Sequence, residues 1–245
     1  MEHPDLMQYL ATARIIPQLS IDCVIFGFHE GMLKVMLQKF RQLDYWALPG
    51  GFVLQTESLD SASKRILEDR TGLRDIYLEQ FYVFGRTDRD TGSFQREIMA
   101  AQGMDLPPDH WIYERFVTVG YYALVDYQRV DPQPDVFTEA CAWYEIDALP
   151  RVAFDHGEII ARARETLRQH LVHRLAAFNL MPETFTMNEL QHLYEIVLGK
   201  KLLRANFQRK MLSLEILERV EKKYTGQAHK APYLYRLNPD AQRNG

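Results

Sequence analysis

The sequence predicts an α+β protein built from two unlike parts. Runs typical of strands surround one helical segment in the first 150 residues, whereas the chain after residue 182 has the order helix, helix, hairpin. Charge divides the chain at the same place. Residues 1–182 contain 18 basic and 26 acidic side chains, a net charge of −8, and residues 183–245 contain 11 basic and 7 acidic ones, a net charge of +4. Such a split is typical of a nucleic-acid-binding segment, with chance as the alternative.

The composition is that of an ordinary globular protein. Of the 245 residues, 47 % are apolar and 25 % are charged, which excludes disordered, collagen-like and coiled-coil chains. No run approaches the ~20 apolar residues of a membrane span, and the polar start is unlike a signal peptide. Cys23 and Cys141 lie in strand-like runs and are too few for a disulfide framework or a cysteine zinc site. We expect buried free thiols, no contact with a membrane and a cytoplasmic protein.

The first part reads as strands separated by turns. β-Branched and aromatic side chains flank the turn His29-Glu30-Gly31, which predicts a hairpin. The predicted strands are residues 19–28, 32–40, 45–48, 76–84, 116–125 and 140–146. Residues 90–114 include Pro107-Pro108 and show no clear period, so we predict a loop insertion with up to one helical turn.

Two helices are predicted in and after this part. Residues 58–71 have apolar side chains at near-helical spacing, with Ser58 as N-cap and Gly72 as the C-terminal stop. Residues 155–174 carry an apolar stripe at helical spacing, and Asp155 is most simply its N-cap. This second helix could join two domains.

The C-terminal part has the element order of a winged helix-turn-helix. Thr186 and Glu189 form a capping-box pattern, and Gly199 ends the helix that follows. A second helix is predicted over residues 203–214, a third and shorter one over 214–220, and a hairpin over 224–237. The predicted division is therefore a first domain at 1–153, a connecting helix at 154–180 and a winged helix-turn-helix domain at 181–240.

One motif of the first domain has a recognisable spacing. Gly51 is followed six positions later by Glu57, and Arg65 then opens the run Arg-Ile-Leu-Glu-Asp-Arg-Thr-Gly-Leu, which ends at Leu73. This pattern resembles the Nudix box, in which glycine, glutamate and an Arg-Glu-x-x-Glu-Glu-x-Gly run are spaced in this way. The resemblance implies a Nudix-like α/β/α sandwich for the first domain.

The departures from the Nudix box concern its chemistry. In Nudix hydrolases, helix carboxylates hold the divalent metal that polarises a diphosphate and activates water. Here these positions are Ile66, Asp69 and Arg70, which share one helix face at i, i+3 and i+4. Arg70 would repel Mg²⁺, and Glu57 with Asp69 makes a poor octahedral site. We predict a degenerate box (Gly51, Glu57, Arg65, Asp69, Gly72) with no catalytic residues, no metal and no cofactor, and with hydrolysis lost or nearly lost.

An arginine-lined pocket could still bind phosphate or sugar hydroxyls. We predict Arg65, Arg70, Asp88 and Arg89 as effector-binding residues. Asp88 and Arg89 follow the end of a strand, where ligand-binding groups often cluster. The alternatives are solvated helix charges for Arg65 and Arg70 and a polar turn for the other pair.

Basic and amide side chains concentrate around the second helix of the C-terminal part and in its wing. Asn and Gln side chains can read adenine edges in a major groove, and a basic wing suits phosphate contact. The predicted DNA-binding residues are Lys200, Lys201, Arg204, Asn206, Gln208, Arg209, Lys210, Lys223, His229 and Lys230. The alternative is a solvated basic surface.

Over residues 15–238 the chain resembles the Nudix-related transcriptional regulator (NrtR) family. Residues 185–195 resemble its first helix, 206–210 its recognition helix and 226–236 its wing. The resemblance implies a homodimeric regulator, here predicted as a repressor, that binds an operator and senses an ADP-ribose-like or pentose effector. The rival hypothesis is an active Nudix pyrophosphatase of ADP-ribose-like compounds with a C-terminal oligomerisation domain.

Overall fold

The computed structural model describes residues 14–72, 74, 76–89, 92–127, 130, 134, 138–173, 178, 180–222 and 231–238. In the first part of the chain, the strands are β1 (Ile15–His29), β2 (Met32–Phe40), β3 (Trp46–Ala47), β4 (Gly50–Leu54), β5 (Leu78–Phe84), β6 (Val117–Val125) and β7 (Thr138–Glu145). The helices there are α1 (Leu59–Thr71), α2 (Gly92–Ala101), a 3-10 turn (Trp111–Tyr113) and α3 (His156–His173). The remaining elements are β8 (Phe185–Thr186), α4 (Met187–Leu198), α5 (Arg204–Ser213), β9 (Leu217–Lys222) and β10 (Tyr233–Leu237).

Strand β1 is the centre of a mixed sheet. It runs parallel to β6 and antiparallel to β2 and β4, in the order β3-β2-β1-β6-β5, and β7 pairs with β2. The parallel pair aligns Cys23 with Tyr121 and Val24 with Tyr122. Because side chains alternate across a strand, neighbouring residues of β1 serve opposite faces of the sheet.

Each face of the sheet is covered by a different helix. Cys23 and Ile25 face α1 and form a core with its Ile66 and Leu67. Val24 and Phe26 face α3, whose apolar stripe is fully buried against them. The stripe consists of Ile159, Ile160, Ala163, Leu167 and Leu171. The predicted α/β/α layering follows from this alternation.

The predicted loop insertion is wrong in its secondary structure. Residues within 90–114 form α2 and the 3-10 turn rather than an irregular loop. Ile98, Met99 and Ile112 are buried in a small core with Phe40. Helix α2 is amphipathic, with Ile98 and Met99 on its buried face, and the expectation of an irregular loop missed this face. Gly92 is required there, because a Cβ atom would lie 2.2 Å from the Tyr113 carbonyl oxygen.

The third helix predicted over residues 214–220 is also wrong. The chain forms β9 there, and β9 pairs antiparallel with β10. The other edge of β10 pairs with β8, so the C-terminal unit contains a three-stranded sheet. The hairpin is therefore longer than predicted, and residues 223–230 lie outside the described part of the chain. Sheet pairing with β10 overrides the helical tendency of the sequence in β9.

The two parts of the chain share one hydrophobic core. Phe178 packs on Phe185 at a ring-centroid distance of 5.8 Å, and Leu180 is buried in the same cluster. Helix α3 also contacts α4 directly, since the Arg168 Nε donates to the Val197 carbonyl oxygen at 2.8 Å. None of the described helices combines the length and hydropathy needed to cross a bilayer. The predicted division into a first domain, a connecting helix and a winged helix-turn-helix domain, with boundaries at residues 153 and 180, remains a proposal.

Candidate functional site

The box helix begins and ends as its sequence predicts. Ser58 is the N-cap of α1, and its hydroxyl accepts from the Ser61 N–H. Gly72 adopts a left-handed conformation with φ of 69° and donates its N–H to the Glu68 carbonyl. The strand β4 and the turn before Ser58 therefore enter the helix at a fixed angle, which places Gly50 and Gly51 beside its second half.

Glu57 and Arg65 form a two-point ion pair. The Arg65 Nε and Nη2 donate to the two Glu57 carboxylate oxygens at 3.1 and 2.7 Å, and Nη2 also donates to the Phe52 carbonyl. Glu57 accepts a further bond from the Leu54 N–H. The Arg65 hydrogen bonds lower the pKa of Glu57 despite its burial. The pair therefore stabilises the turn between β4 and α1.

Ile66 and Arg70 lie under the two glycines. Ile66 is buried, and a Cβ atom on Gly51 would lie 3.1 Å from its Cγ1. The Arg70 Nη2 donates to the Gly50 carbonyl oxygen at 3.2 Å. Asp69 is instead 58 % exposed and lies 3.6 Å from the Arg65 Nη1. Of the three positions predicted to share a face, Ile66 and Arg70 contact the glycines of β4 (the glycine strand), and Asp69 points to solvent.

The box positions do not fit Mg²⁺. Ile66 offers no donor atom and Arg70 is a cation, while both Glu57 oxygens accept hydrogen bonds from protein groups. In the described residues, no group of three or more His, Cys, Asp or Glu side chains is arranged to hold a metal ion. Mg²⁺ requires near-ideal octahedral oxygen ligation, which this donor set does not supply.

Asp22 and His156 also belong to this region, and the sequence analysis did not identify them. The His156 Nδ1 accepts from the Leu48 N–H at 2.9 Å, which assigns the proton to Nε2. That Nε2 lies 3.5 Å from the Asp22 carboxylate, and both residues are buried. A Cβ atom on Gly50 would lie 2.3 Å from Asp22 Oδ1. The start of α3 is thus hydrogen-bonded to the strand that leads into the glycines.

Arg89 is a buried structural residue. Its guanidinium makes two bonds to the Asp155 carboxylate at 2.6 and 2.7 Å. Its Nη1 donates to the Phe84 and Phe116 carbonyls and to the Thr118 hydroxyl. Burial alone would raise the pKa of Asp155, but the hydrogen bonds and charge of Arg89 hold it below its ordinary value. The Asp155 side chain therefore binds Arg89, where the sequence suggested an N-cap.

The four predicted effector residues do not form one cationic surface. Arg65 and Arg89 are engaged by carboxylates of the protein, and the Arg89 side chain is only 4 % exposed. Asp88 is 70 % exposed and pairs with Arg86. Arg70 is the one of the four that donates to a glycine carbonyl in the described structure, that of Gly50. Their contact with an effector stays a prediction.

The C-terminal unit contains a helix-turn-helix formed by α4 and α5. The predicted capping box is confirmed: Thr186 accepts from the Glu189 N–H at 3.2 Å, and Glu189 accepts from the Thr186 N–H at 2.6 Å. Gly199 ends α4 with φ of 66°. Glu195 then fixes the turn, because it accepts from the Leu202 N–H and the Lys201 ammonium. With a bond from Gln191, these interactions lower the pKa of Glu195 to about 2.

Helix α5 buries one face and exposes its charges. Phe207 and Met211 are buried, and the Phe207 ring packs edge-on against Tyr194 at 5.2 Å. The predicted DNA-binding residues that are exposed are Lys200, Lys201, Arg204, Asn206, Arg209 and Lys210. Gln208 is half-buried. The structure therefore brings together seven of the ten predicted residues, whereas Lys223, His229 and Lys230 lie outside the described residues.

The chain matches two family models. Residues 16–163 match the NUDIX domain, and residues 177–237 match the NrtR DNA-binding winged helix domain. The protein is thus a transcriptional regulator with a Nudix domain joined to a DNA-binding winged helix, as its fold and sites predict.

A curated relative and two solved structures cover nearly all of the chain. The "ADPR responsive transcriptional repressor NtrR" of Acinetobacter baylyi is 30 % identical over 227 residues, which are 90 % of this chain and 82 % of the relative. Shewanella oneidensis NrtR is 32 % identical with a TM-score of 0.70, covering 91 % of this chain and 95 % of that chain. Its structure with a 27mer DNA is 29 % identical with a TM-score of 0.70, covering 92 % and 96 %. The chain belongs to the NrtR family.

Proposed function

We propose that this protein is an ADP-ribose-responsive repressor that inserts α5 into the major groove of an operator. The observation that carries the proposal is the row of exposed cations on the second helix of a helix-turn-helix, whose other face is buried. Phosphates attract such cations, and the recognition helix of this motif is the element that reads bases. The Shewanella structure with a 27mer DNA supports this assignment.

The protein acts in the cytoplasm as a homodimer. Two recognition helices enter successive major grooves when they lie about one DNA turn, ~34 Å, apart. A dimer supplies this spacing, and its operator would then be a pseudo-palindrome. In this proposal, Lys223, His229 and Lys230 also contact the DNA.

The Nudix domain senses the effector. The name of the Acinetobacter relative supports ADP-ribose over a pentose. We assign the effector to the region of Gly50, Gly51 and Arg70, where an arginine borders a strand of close-packed glycines. Arg65 supports this region through Glu57 and the Phe52 carbonyl, and Arg89 supports the start of α3 through Asp155. The contact of Asp88 with the effector stays part of the proposal. An arginine at this place attracts a diphosphate without a metal ion.

Hydrolysis of ADP-ribose is negligible in this proposal. The rival function, a Nudix pyrophosphatase with an oligomerisation domain, needs carboxylates at the metal-binding positions of α1. Ile66 and Arg70 occupy those positions, and Arg65 holds the Glu57 carboxylate. A binding site without turnover suits a sensor, because the effector persists while it is bound.

Helix α3 is the route from the effector to DNA. At its start, His156 accepts from the Leu48 N–H next to the glycine strand. Three turns later, Arg168 donates to the Val197 carbonyl, in the last turn of α4 before Gly199. A ligand that favours one position of the strand would therefore shift α4 and the recognition helix.

Fluorescence anisotropy with DNA from upstream of the protein's own operon tests the DNA-binding half. We expect binding at ~50 mM salt that weakens by orders of magnitude at ~200 mM, since bound phosphates release counterions. Binding that is absent at low salt, or insensitive to salt, contradicts the proposal.

Thermal unfolding and a turnover assay test the sensor half. ADP-ribose should raise the unfolding temperature of the full chain more than ribose does, because a ligand of the native state stabilises it. With Mg²⁺, turnover of ADP-ribose should stay far below the ~10 s⁻¹ that is typical of enzymes. Turnover near that value would favour the pyrophosphatase.

A further inference from the structure

Leu203 occupies an unusual place for a leucine. It is the N-cap residue of α5 and makes no side-chain capping bond, whereas Ser58 and Thr186 cap their helices in the expected way. Its side chain is 75 % exposed. Leucine is among the poorest N-cap residues, and an exposed side chain of this size gains nothing from burial. Departures from local sequence rules of this kind concentrate at functional sites.

The surroundings of Leu203 indicate what covers it. The side chains of Lys200, Lys201 and Arg204 next to it are exposed, with Lys201 88 % exposed. A partner that buries Leu203 must therefore accept several positive charges around one apolar contact. The major groove of DNA offers this combination, since phosphates line its edges and thymine C5-methyl groups lie at its floor.

The position in the motif agrees with that partner. In a helix-turn-helix, the N-terminal residues of the second helix are the ones that reach base edges. The backbone of Leu203 is extended, with φ of −70° and ψ of 118°, so its side chain does not continue the buried row of Phe207 and Met211. It projects at the tip of the helix instead of against α4.

We propose that Leu203 contacts the C5-methyl group of a thymine in each operator half-site and so helps to determine the DNA sequence that is bound. This inference rests on the proposed function, because it requires α5 to lie in the major groove. It adds an apolar contact to the predicted amide and cationic contacts of α5. Removing one methyl group from such a contact is worth roughly a fourfold change in affinity.

Replacement of thymine by deoxyuridine tests the contact, because deoxyuridine lacks only the methyl group. The full-length protein first selects duplexes from a random-sequence library, and each thymine of the selected duplex is then replaced in turn. Anisotropy at a fixed salt concentration should show one thymine per half-site whose replacement weakens binding roughly fourfold. The variant Leu203→Ala should bind the two duplexes equally.

Two further variants separate this role from a structural one. Leu203→Ser restores a favourable N-cap, so it should raise the stability of the protein and still lose the preference for thymine. Leu214→Ala removes another exposed leucine, at the opposite end of α5, and should keep the preference. If the wild type and Leu203→Ala show the same thymine preference, or if the wild type binds DNA with no such preference, the inference is wrong and the DNA-binding function stands. If no duplex is selected at all, both the Leu203 inference and the proposed DNA-binding function are wrong.

Discussion

Helices α1 and α5 carry similar charged residues and use them in opposite ways. On α1, Arg65 is held by the Glu57 carboxylate and the Phe52 carbonyl, so its side chain stabilises the turn before the helix. On α5, Arg204 and Lys210 are exposed, and in the described part of the chain no ion pair involves them. An arginine within a motif is therefore not by itself evidence of a ligand. Its burial and its partners decide whether it stabilises the fold or is available to contact a ligand.

The largest expected effect comes from a buried arginine of the first domain. Arg89→Met should lower the free energy of unfolding by about 3–5 kcal/mol, because it leaves the half-buried Asp155 carboxylate without its cation. Urea unfolding followed by circular dichroism measures this change. Arg86→Met, which removes an exposed pair with Asp88, is the matched control and should change the free energy of unfolding far less, because solvent screens an exposed pair. Equal effects of the two variants would show that the ion pair of Arg89 with Asp155 does not stabilise the fold as described.

The next effect concerns the exposed cations of α5. The double variant Arg209→Ala, Lys210→Ala should weaken binding to operator and random DNA alike, by roughly 10- to 100-fold, and should reduce the slope of log affinity against log salt by about 2. The same measurement on Lys64→Ala, an exposed lysine of α1, should match the wild type. A loss confined to the operator would assign these side chains to bases instead of phosphates.

Acid should destabilise the protein through the ion pairs of the first domain. The pKa values of Glu57 and Asp155 are lowered in the folded state. Their stabilising contribution is therefore present above the unfolded pKa values, near pH 4, and disappears as the pH falls through the folded values. The urea midpoint should drop between pH 5 and pH 3. The urea midpoint of Arg89→Met should drop less over this interval, because Asp155 no longer has an ion pair that protonation could break. The same pH dependence in the wild type and in this variant would contradict the assignment.

The sequence predicts most of the fold because its signals are local. The caps at Ser58, Gly72 and Thr186 and the apolar stripe of α3 depend on residues a few positions apart, and the structure agrees with each. The prediction of a helix over residues 214–220 was wrong because β9 is set by its pairing with β10, more than ten residues away. Helix α2 was missed because Pro107-Pro108 favoured a loop for the whole segment, although Ile98 and Met99 form a buried helical face.

The functional sites differ in the same respect. The cations of α5 could be predicted because exposure follows from helical spacing, with Phe207 and Met211 on the buried face. Arg89 could not be placed, since its partner Asp155 lies 66 positions away and approaches only after the sheet and α3 have packed. His156 looked like one residue of a helix start, and its bond to the Leu48 N–H also depends on that packing. Long-range pairs decide which charges remain for a ligand.

One affinity measurement tests whether the effector site of the Nudix domain communicates with the recognition helix α5. The dissociation constant for upstream DNA is measured by anisotropy with and without saturating ADP-ribose, for the wild type and for Arg168→Met, which loses the bond to Val197. Arg164→Met, on the same helix but paired with Asp147, is the control. We expect ADP-ribose to change the DNA affinity of the wild type and of the control at least about fivefold, and that of Arg168→Met much less. An ADP-ribose effect that is absent from the wild type, or equal in all three proteins, would contradict the account.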